Sequence, residues 1–182
     1  PILESERLGL RLDLRPLSRR DGSMLVRGLV GDRVDDTLAG RLVERAGGTP
    51  LFIEEILRAA VERGLLRHVV REHRPAVELD RLDLPLTVEA VIQARLDRLP
   101  QGERDALARA AVIGESLWDH ALEAIGVEEA EATLRALCRR DLLRPRPISR
   151  FAGCRELEFR HAVVREVAYA GVPAPQRRRL HL

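Results

Sequence analysis

The sequence predicts a mainly α-helical fold built in two parts and preceded by one short strand. Apolar residues make up 45% of the 182 positions but aromatic residues only 3%, so the core must consist of Leu, Val, Ile and Ala. This composition favours helices packed on helices. Apolar residues recur at spacings of three and four over most of the chain, whereas strict alternation occurs at its beginning and near residue 157. Amphipathic helices with few strands are therefore expected.

The first predicted element is a strand. Leucine alternates with other residues over positions 8–14, and Pro16 ends the pattern. A single amphipathic strand is not stable alone, and no comparable strand follows until about residue 142. We therefore expect residues 1–17 to contain the last strand of a truncated domain whose other strands precede Pro1. Because the chain begins with Pro and ends within a helical pattern at 176–182, we expect it to be a piece of a longer polypeptide.

A helical part is predicted over residues 18–84. Its apolar residues are spaced for three helices. They are Met24, Leu25, Leu29, Leu38, Leu42, Val43, Phe52, Ile53, Ile56, Leu57 and Val61. The predicted caps and stops are, in order, Ser18, Gly31, Asp35 or Asp36, and Gly64. Residues 67–84 are polar and contain Pro75, which fits either a loose hairpin or a linker.

The second and third of these helices meet at a break of two glycines, a threonine and a proline. Gly47 or Gly48 can adopt the left-handed conformation that ends a helix. Thr49 falls at an N-cap position, and Pro50 suits the first helical turn, where its missing N–H is not needed. Local chemistry alone predicts an ordinary helix-turn-helix joint.

The second part is predicted over residues 85–172. Thr87 caps a first helix that Pro100 closes, and three more are expected at 102–113, 117–125 and 128–140. Two short strands follow, at 142–144 and 156–160, and a further helix spans 162–170. Helices followed by a two-stranded ribbon are the order of elements in a winged helix. Residues 173–182 would begin a C-terminal helical region, similar to a tetratricopeptide array.

The residue types exclude several kinds of chemistry. All 31 basic residues are Arg, so neither a P-loop lysine nor a Schiff base can come from this chain. The five histidines lack metal-binding spacing, and Asp119 and His120 are adjacent, which on a helix would turn their side chains apart. Glu54 and Glu55 are interpreted as a solvated face beside Arg58. We expect neither catalytic residues nor metal ligands.

The expected location is the cytoplasm. Cys138 and Cys154 are isolated, which is typical of a reduced protein inside the cell. The sequence contains no signal peptide and no apolar run long enough to cross a membrane.

A basic stretch suggests DNA as one class of partner. Between positions 135 and 160 the sequence contains eight arginines and three acidic residues, which leaves a net charge of +5. The candidate phosphate contacts are Arg135, Arg139, Arg140, Arg144 and Arg146. The sequence has neither Asn, which reads adenine, nor Lys.

Several segments, in order, resemble bacterial STAND ATPases, the signal-transduction ATPases with numerous domains. Gly-Gly-Thr-Pro-Leu-Phe-Ile-Glu-Glu-Ile-Leu at 47–57 is similar to the family's Gly-Asn-Pro-Leu-Phe-(aliphatic)-Glu-Glu-Leu segment. The other similar segments are 12–17 (last strand of the ATPase core), 84–100 and 111–114 (start of the winged helix and its second helix) and 159–169 (a Phe-x-His exit followed by an acidic residue and Tyr). Together they cover nearly the whole chain.

The resemblance implies specific roles. The proline of the Gly-x-Pro turn, here Pro50 with Gly48 and Thr49, would lie against adenine, and the exit histidine, here His161, would face the β-phosphate of ADP. Thr49 departs from the usual Asn. The resemblance also implies a helical lid and a winged helix that close over ATP or ADP, held with Mg²⁺ by an upstream P-loop domain, with no nucleotide bound by this chain alone.

The function expected on this basis is a nucleotide-dependent signalling switch that relays the state of the nucleotide to output or sensor domains. The implied partners are the upstream ATPase domain and a C-terminal helical-repeat sensor, and the full-length protein could self-associate. ATP hydrolysis would belong to the upstream domain rather than to this chain. The alternative is a winged-helix transcriptional regulator that binds DNA.

Overall fold

The computed structural model describes residues 13–31, 34–63 and 87–181, and its contacts divide the chain into unit 1, Pro1–Leu84, and unit 2, Pro85–Leu182. The described residues are mainly helical with one small antiparallel sheet, as predicted. Unit 1 contains α1 (Arg19–Val30), α2 (Asp36–Arg45) and α3 (Pro50–Glu62). Unit 2 contains α4 (Val88–Leu96), α5 (Gln101–Ile113), β1 (Ser116–Trp118), α6 (Asp119–Ala124), α7 (Ala130–Arg139), β2 (Leu143–Pro145), β3 (Glu156–Phe159), α8 (Ala162–Ala170) and α9 (Ala174–Leu180).

The helices of unit 1 begin where the sequence places their caps. The Ser18 hydroxyl accepts a hydrogen bond from the Asp21 amide at 3.2 Å, and the Asp35 carboxylate accepts one from the Leu38 amide at 2.7 Å. Gly22 allows α1 to pack closely on α2, because a Cβ there would lie 2.6 Å from a methyl group of Val43. Apolar side chains from all three helices form the core.

Unit 2 has its own core, shared by α4 to α8 and the sheet. Thr87 caps α4 as predicted, with its hydroxyl accepting from the Ala90 amide at 3.2 Å. The largest fully buried apolar side chains include Ile92, Leu107, Leu117, Leu122, Leu137, Leu142, Leu143 and Val164. Burying each such side chain contributes about 1.5–3 kcal/mol to folding, which makes this core the main source of the unit's stability.

The sheet of unit 2 has three strands where the sequence predicts two. Its order is β1-β3-β2, with both pairs antiparallel, Leu117 opposite Leu157 and Leu143 opposite Phe159. The helix predicted at 117–125 is wrong at its start, because Leu117 lies in β1 and α6 begins only at Asp119. Leu117 is fully buried, so its packing against β3 overrides the helical pattern of its neighbours.

Other predicted elements lie partly or wholly outside the described residues. Residues 13–18 adopt neither helix nor strand, and Leu14 is 93% exposed, while the rest of the predicted first strand is outside the described ranges. Gly64 and the segment 67–84 are outside them too. The last helix, α9, begins two residues before the predicted position 176. In the part of the chain that the structure describes, no helix combines the length and apolar character needed to cross a membrane.

Candidate functional site

The glycine turn between α2 and α3 has the predicted geometry. Gly47 and Gly48 both lie in the left-handed region, with φ of 56° and 69°. The Gly48 amide donates to the Val43 carbonyl at 3.0 Å, which ends α2, and Pro50 is the first residue of α3. The sequence therefore places Pro50 at a helix start through ordinary termination and initiation chemistry.

This turn is fixed on one side and open on the other. The Leu17 amide donates to the Gly48 carbonyl at 2.8 Å, and Gly48 is buried against Leu17 so closely that a side chain would overlap its carbonyl oxygen. Thr49 and Pro50 are exposed, and the Thr49 side chain makes no capping hydrogen bond. The first turn of α3 also has no acidic residue, so its positive end is not neutralised by its own side chains.

His161 occupies the N-cap position of α8 in unit 2. It follows β3 directly and is half-buried, and its carbonyl accepts from the Val164 amide at 3.0 Å. Its side chain does not cap the helix, and the first turn of α8 carries no acid. The helix is anchored on α5, because the Arg165 guanidinium donates to the Ala111 carbonyl at 3.1 Å.

Pro50 and His161 therefore share a local setting. Each stands at the start of a helix, of 13 and 9 residues respectively, that has neither a side-chain cap nor an acid in its first turn. The N–H groups of such a turn and the positive end of the helix dipole favour an anionic ligand. The two helix starts belong to different units.

Intramolecular acids pair with most of the candidate DNA contacts. All five arginines are exposed. Four of them form ion pairs: Arg135 with Glu131 at 2.5 Å, Arg140 with Glu103 at 2.6 Å, Arg144 with Glu158 at 2.6 Å, and Arg146 with Glu156 at 3.1 Å. Arg139 makes no ion pair with any residue in the described ranges. The positive charge counted in the sequence is therefore largely compensated on this surface.

Glu156 is the buried acid of this region, at 1% exposure in the central strand. Its carboxylate accepts from the amide of Arg150 at 2.8 Å and from the guanidinium of the same residue at 2.9 Å. The hydrogen bond from the Arg150 side chain is the main reason that the pKa of Glu156 lies below its ordinary value, although burial opposes the shift.

One cluster was not expected from the sequence. Asp119 and His120 do not turn away from a common site: ligand atoms of both residues and of Cys154 lie within 4.8 Å of one another. The Cys154 sulfur is 3.2 Å from Nδ1 of His120. The sequence signal was absent because Cys154 follows 34 residues later, and only the unpredicted pairing of β1 with β3 brings it near.

The prediction that Glu54 and Glu55 form a solvated face is also wrong for Glu55. Glu55 is 2% exposed, and its carboxylate lies 3.7 Å from Nε of Arg58, one turn along α3. Its partner is thus at i+3, where a helix brings side chains together as it does at i+4.

Comparison of the chain with protein-family models, with curated proteins and with solved structures finds no match.

Proposed function

We propose that this chain is the helical lid and winged-helix arm of a STAND-type ATPase, a signalling switch that closes over ADP or ATP. An upstream P-loop domain would hold the nucleotide and its Mg²⁺, and residues 173–182 would lead into a sensor region. The order of elements in unit 2 supports the proposal, because a helix, a strand, two helices and two strands in the sheet order β1-β3-β2 follow the arrangement of a winged helix.

The observation that carries the proposal is the shared setting of Pro50 and His161. The family resemblance gives both residues a nucleotide contact, and both stand at helix starts that have no side-chain cap and no acid in the first turn. A phosphate at such a start accepts backbone N–H bonds without displacing a side chain. The hydrogen bond from the Leu17 amide to the Gly48 carbonyl also fixes the turn, so Pro50 offers a fixed apolar ring to a base.

Magnitudes favour a switch over an independent binding site. A prolyl ring packed on a base contributes on the order of 1 kcal/mol. A hydrogen bond between His161 and a phosphate contributes roughly 1.5–3 kcal/mol. The sum of about 4 kcal/mol corresponds to millimolar affinity, so this chain alone would bind nucleotide very weakly. The hydrogen bond from His161 alone, if it forms only when the arm is closed, shifts a two-state equilibrium by about tenfold to a hundredfold.

DNA binding by unit 2 is the alternative, and the ion pairs weigh against it. Four of the candidate arginines already bond acids at 2.5–3.1 Å, and a phosphate contact would have to replace each of these bonds. They are Arg135, Arg140, Arg144 and Arg146. Of the five candidates, Arg139 is the one best placed to contact phosphate without breaking a pair. A single such contact supplies little affinity at physiological salt.

The test uses the protein that carries this chain together with its own P-loop domain. We expect His161→Ala to speed the dissociation of a fluorescent ADP analogue by roughly tenfold to a hundredfold, since a charge-assisted hydrogen bond is lost. Pro50→Ala should have a smaller effect in the same direction. Matched controls are His181→Ala and Pro100→Ala. An unchanged dissociation rate in His161→Ala, or a reading frame without a P-loop before Pro1, would contradict the proposal.

A further inference from the structure

The cluster of Asp119, His120 and Cys154 joins the start of α6 to the loop before β3. Two hydrogen bonds hold these two segments together. The Asp119 amide donates to the Arg155 carbonyl at 3.2 Å, and the Arg155 amide donates to the Asp119 carboxylate at 3.1 Å. Residues 119 and 155 are therefore held together whether or not a ligand is present. Cys154 and His120, their immediate neighbours, are brought to the same place.

The distances suit a small cation. A zinc ion bound at about 2.3 Å from sulfur and about 2.0 Å from nitrogen, at a tetrahedral angle, separates those two atoms by roughly 3.5 Å. The Cys154 sulfur and His120 Nδ1 are 3.2 Å apart, so a slight side-chain rotation opens the required gap. All three candidate ligand atoms lie within 4.8 Å of one another.

The carboxylate is already oriented for a role as third ligand. Oδ1 of Asp119 accepts from the amides of His120 at 2.9 Å and Arg155 at 3.1 Å, and Oδ2 accepts from Nε of Arg155 at 3.1 Å. Of these two oxygens, Oδ2 keeps a second lone pair, which leaves capacity for an ion. Supporting hydrogen bonds of this kind orient ligands at metal sites. Arg155 also pairs with Glu131 at 3.4 Å, which offsets its positive charge beside the site.

Exposure and ligand type define the ion. His120 is exposed and Cys154 half-buried, so an ion can enter from solvent and keep a water in its fourth position. A thiolate and an imidazole select borderline-soft metals and disfavour Mg²⁺ and Ca²⁺. We propose that Asp119, His120 and Cys154 form a three-ligand site for Zn²⁺ or a similar divalent transition metal, which links the loop before β3 to α6.

Cobalt reports on this site directly, because Co²⁺ occupies zinc sites and a coordinated thiolate gives a charge-transfer absorption band. We would titrate the reduced 182-residue chain with Co²⁺ and then displace it with Zn²⁺. The expected result is a thiolate band that Zn²⁺ removes, together with release of the Cys154 thiol proton on binding. Zn²⁺ should also raise the unfolding temperature.

Variants assign the ligands. Cys154→Ser should abolish the thiolate band, and His120→Ala should weaken Co²⁺ binding at least tenfold. Cys138→Ser and His181→Ala are the matched controls and should bind as the unaltered chain does. Circular dichroism of each variant checks that it is folded. The proposal is overturned by the lack of a thiolate band in the unaltered chain, by a band that depends on Cys138, or by binding that neither Cys154→Ser nor His120→Ala changes.

Discussion

Arg150 and Glu156 are joined twice, because the backbone amide and the guanidinium of Arg150 both donate to the Glu156 carboxylate, at 2.8 and 2.9 Å. Arg146 reaches the same carboxylate at 3.1 Å. Glu156 is thus a buried acid in the central strand that holds the start and the middle of the loop between β2 and β3. A side chain of this loop is also packed, since the Phe151 ring contacts the Trp118 ring edge to face with ring centroids 4.9 Å apart.

The first prediction concerns this pair. Glu156→Gln keeps the shape of the side chain but removes the charge that Arg150 and Arg146 bind, so we expect the unfolding temperature to fall by several degrees. The protein's single tryptophan, Trp118, reports on the change because Arg150 lies 5.2 Å from its ring centroid. Thermal unfolding followed by fluorescence measures the effect. Glu123→Gln, at an exposed position of α6, is the control and should leave the temperature nearly unchanged.

A second prediction is the pH dependence of stability. Hydrogen bonds from Arg150 hold the pKa of Glu156 below its ordinary value of 4.5. For Asp119, burial raises the pKa, but bonds from Arg155 and from the His120 amide outweigh it, so the pKa falls below the ordinary 3.8. When the folded pKa is the lower one, the unfolded state binds more protons in acid, so stability increases with pH.

The stabilising contribution of both acids is therefore complete above the ordinary pKa values and is lost as the pH falls through the folded ones. Urea unfolding measured between about pH 2 and pH 6 should show this loss. The slope should be shallower in Glu156→Gln, which lacks one of the two groups. A variant with the same acid slope as the unaltered chain would show that Glu156 has an ordinary pKa.

The glycine turn gives a third prediction, with its control one residue away. Gly47→Ala meets nothing within 4 Å, so it adds only the strain of φ 56°, about 1 kcal/mol. Gly48→Ala has a similar φ of 69° and also overlaps the Leu17 carbonyl, so we expect a loss of about 3 kcal/mol. Urea unfolding followed by circular dichroism measures both. Equal losses of stability in the two variants would mean that the Leu17 carbonyl adds no steric cost at position 48.

A fourth prediction addresses DNA. Because four of the five candidate arginines are paired with acids, we expect no discrete complex with duplex DNA at about 200 mM salt and only weak binding at about 50 mM. Mobility shifts at the two salt concentrations check this. Glu131→Gln, which removes a partner of Arg135, should strengthen the weak complex. Tight binding at the higher salt, lost in Arg139→Ala, would favour the DNA-binding alternative instead.

The helix boundaries could be predicted because they depend on short-range chemistry. Three helices are capped by a hydroxyl or carboxylate that accepts a hydrogen bond from the amide three residues later. The capping residues are Ser18, Asp35 and Thr87. The two glycines before Pro50 adopt left-handed conformations for the same local reason. Neighbours in sequence are sufficient to determine such features, and one sequence contains that information.

Features that depend on distant neighbours could not be predicted in this way. Leu117 has a helical context, and only its partner Leu157, forty positions away, makes it a strand residue. The same pairing brings Cys154 to His120, so the error in the strand also concealed the cluster. The ion pairs of the basic surface were missed because a charge count does not show which acid lies beside which arginine. Glu103, for example, lies in α5, whereas its partner Arg140 follows the end of α7.

The central position of β3 has a consequence for synthesis of the protein. Among the described strands, β3 lies between the other two although it is the last to be made. About 40 residues separate the start of β1 from the start of β3, which at ordinary elongation rates takes the ribosome about 2–8 s. During that interval β1, and later β2, has no partner strand to cover its edges. Nascent chains that stall between residues 145 and 156 would therefore expose the edges of both strands to chaperones or to aggregation.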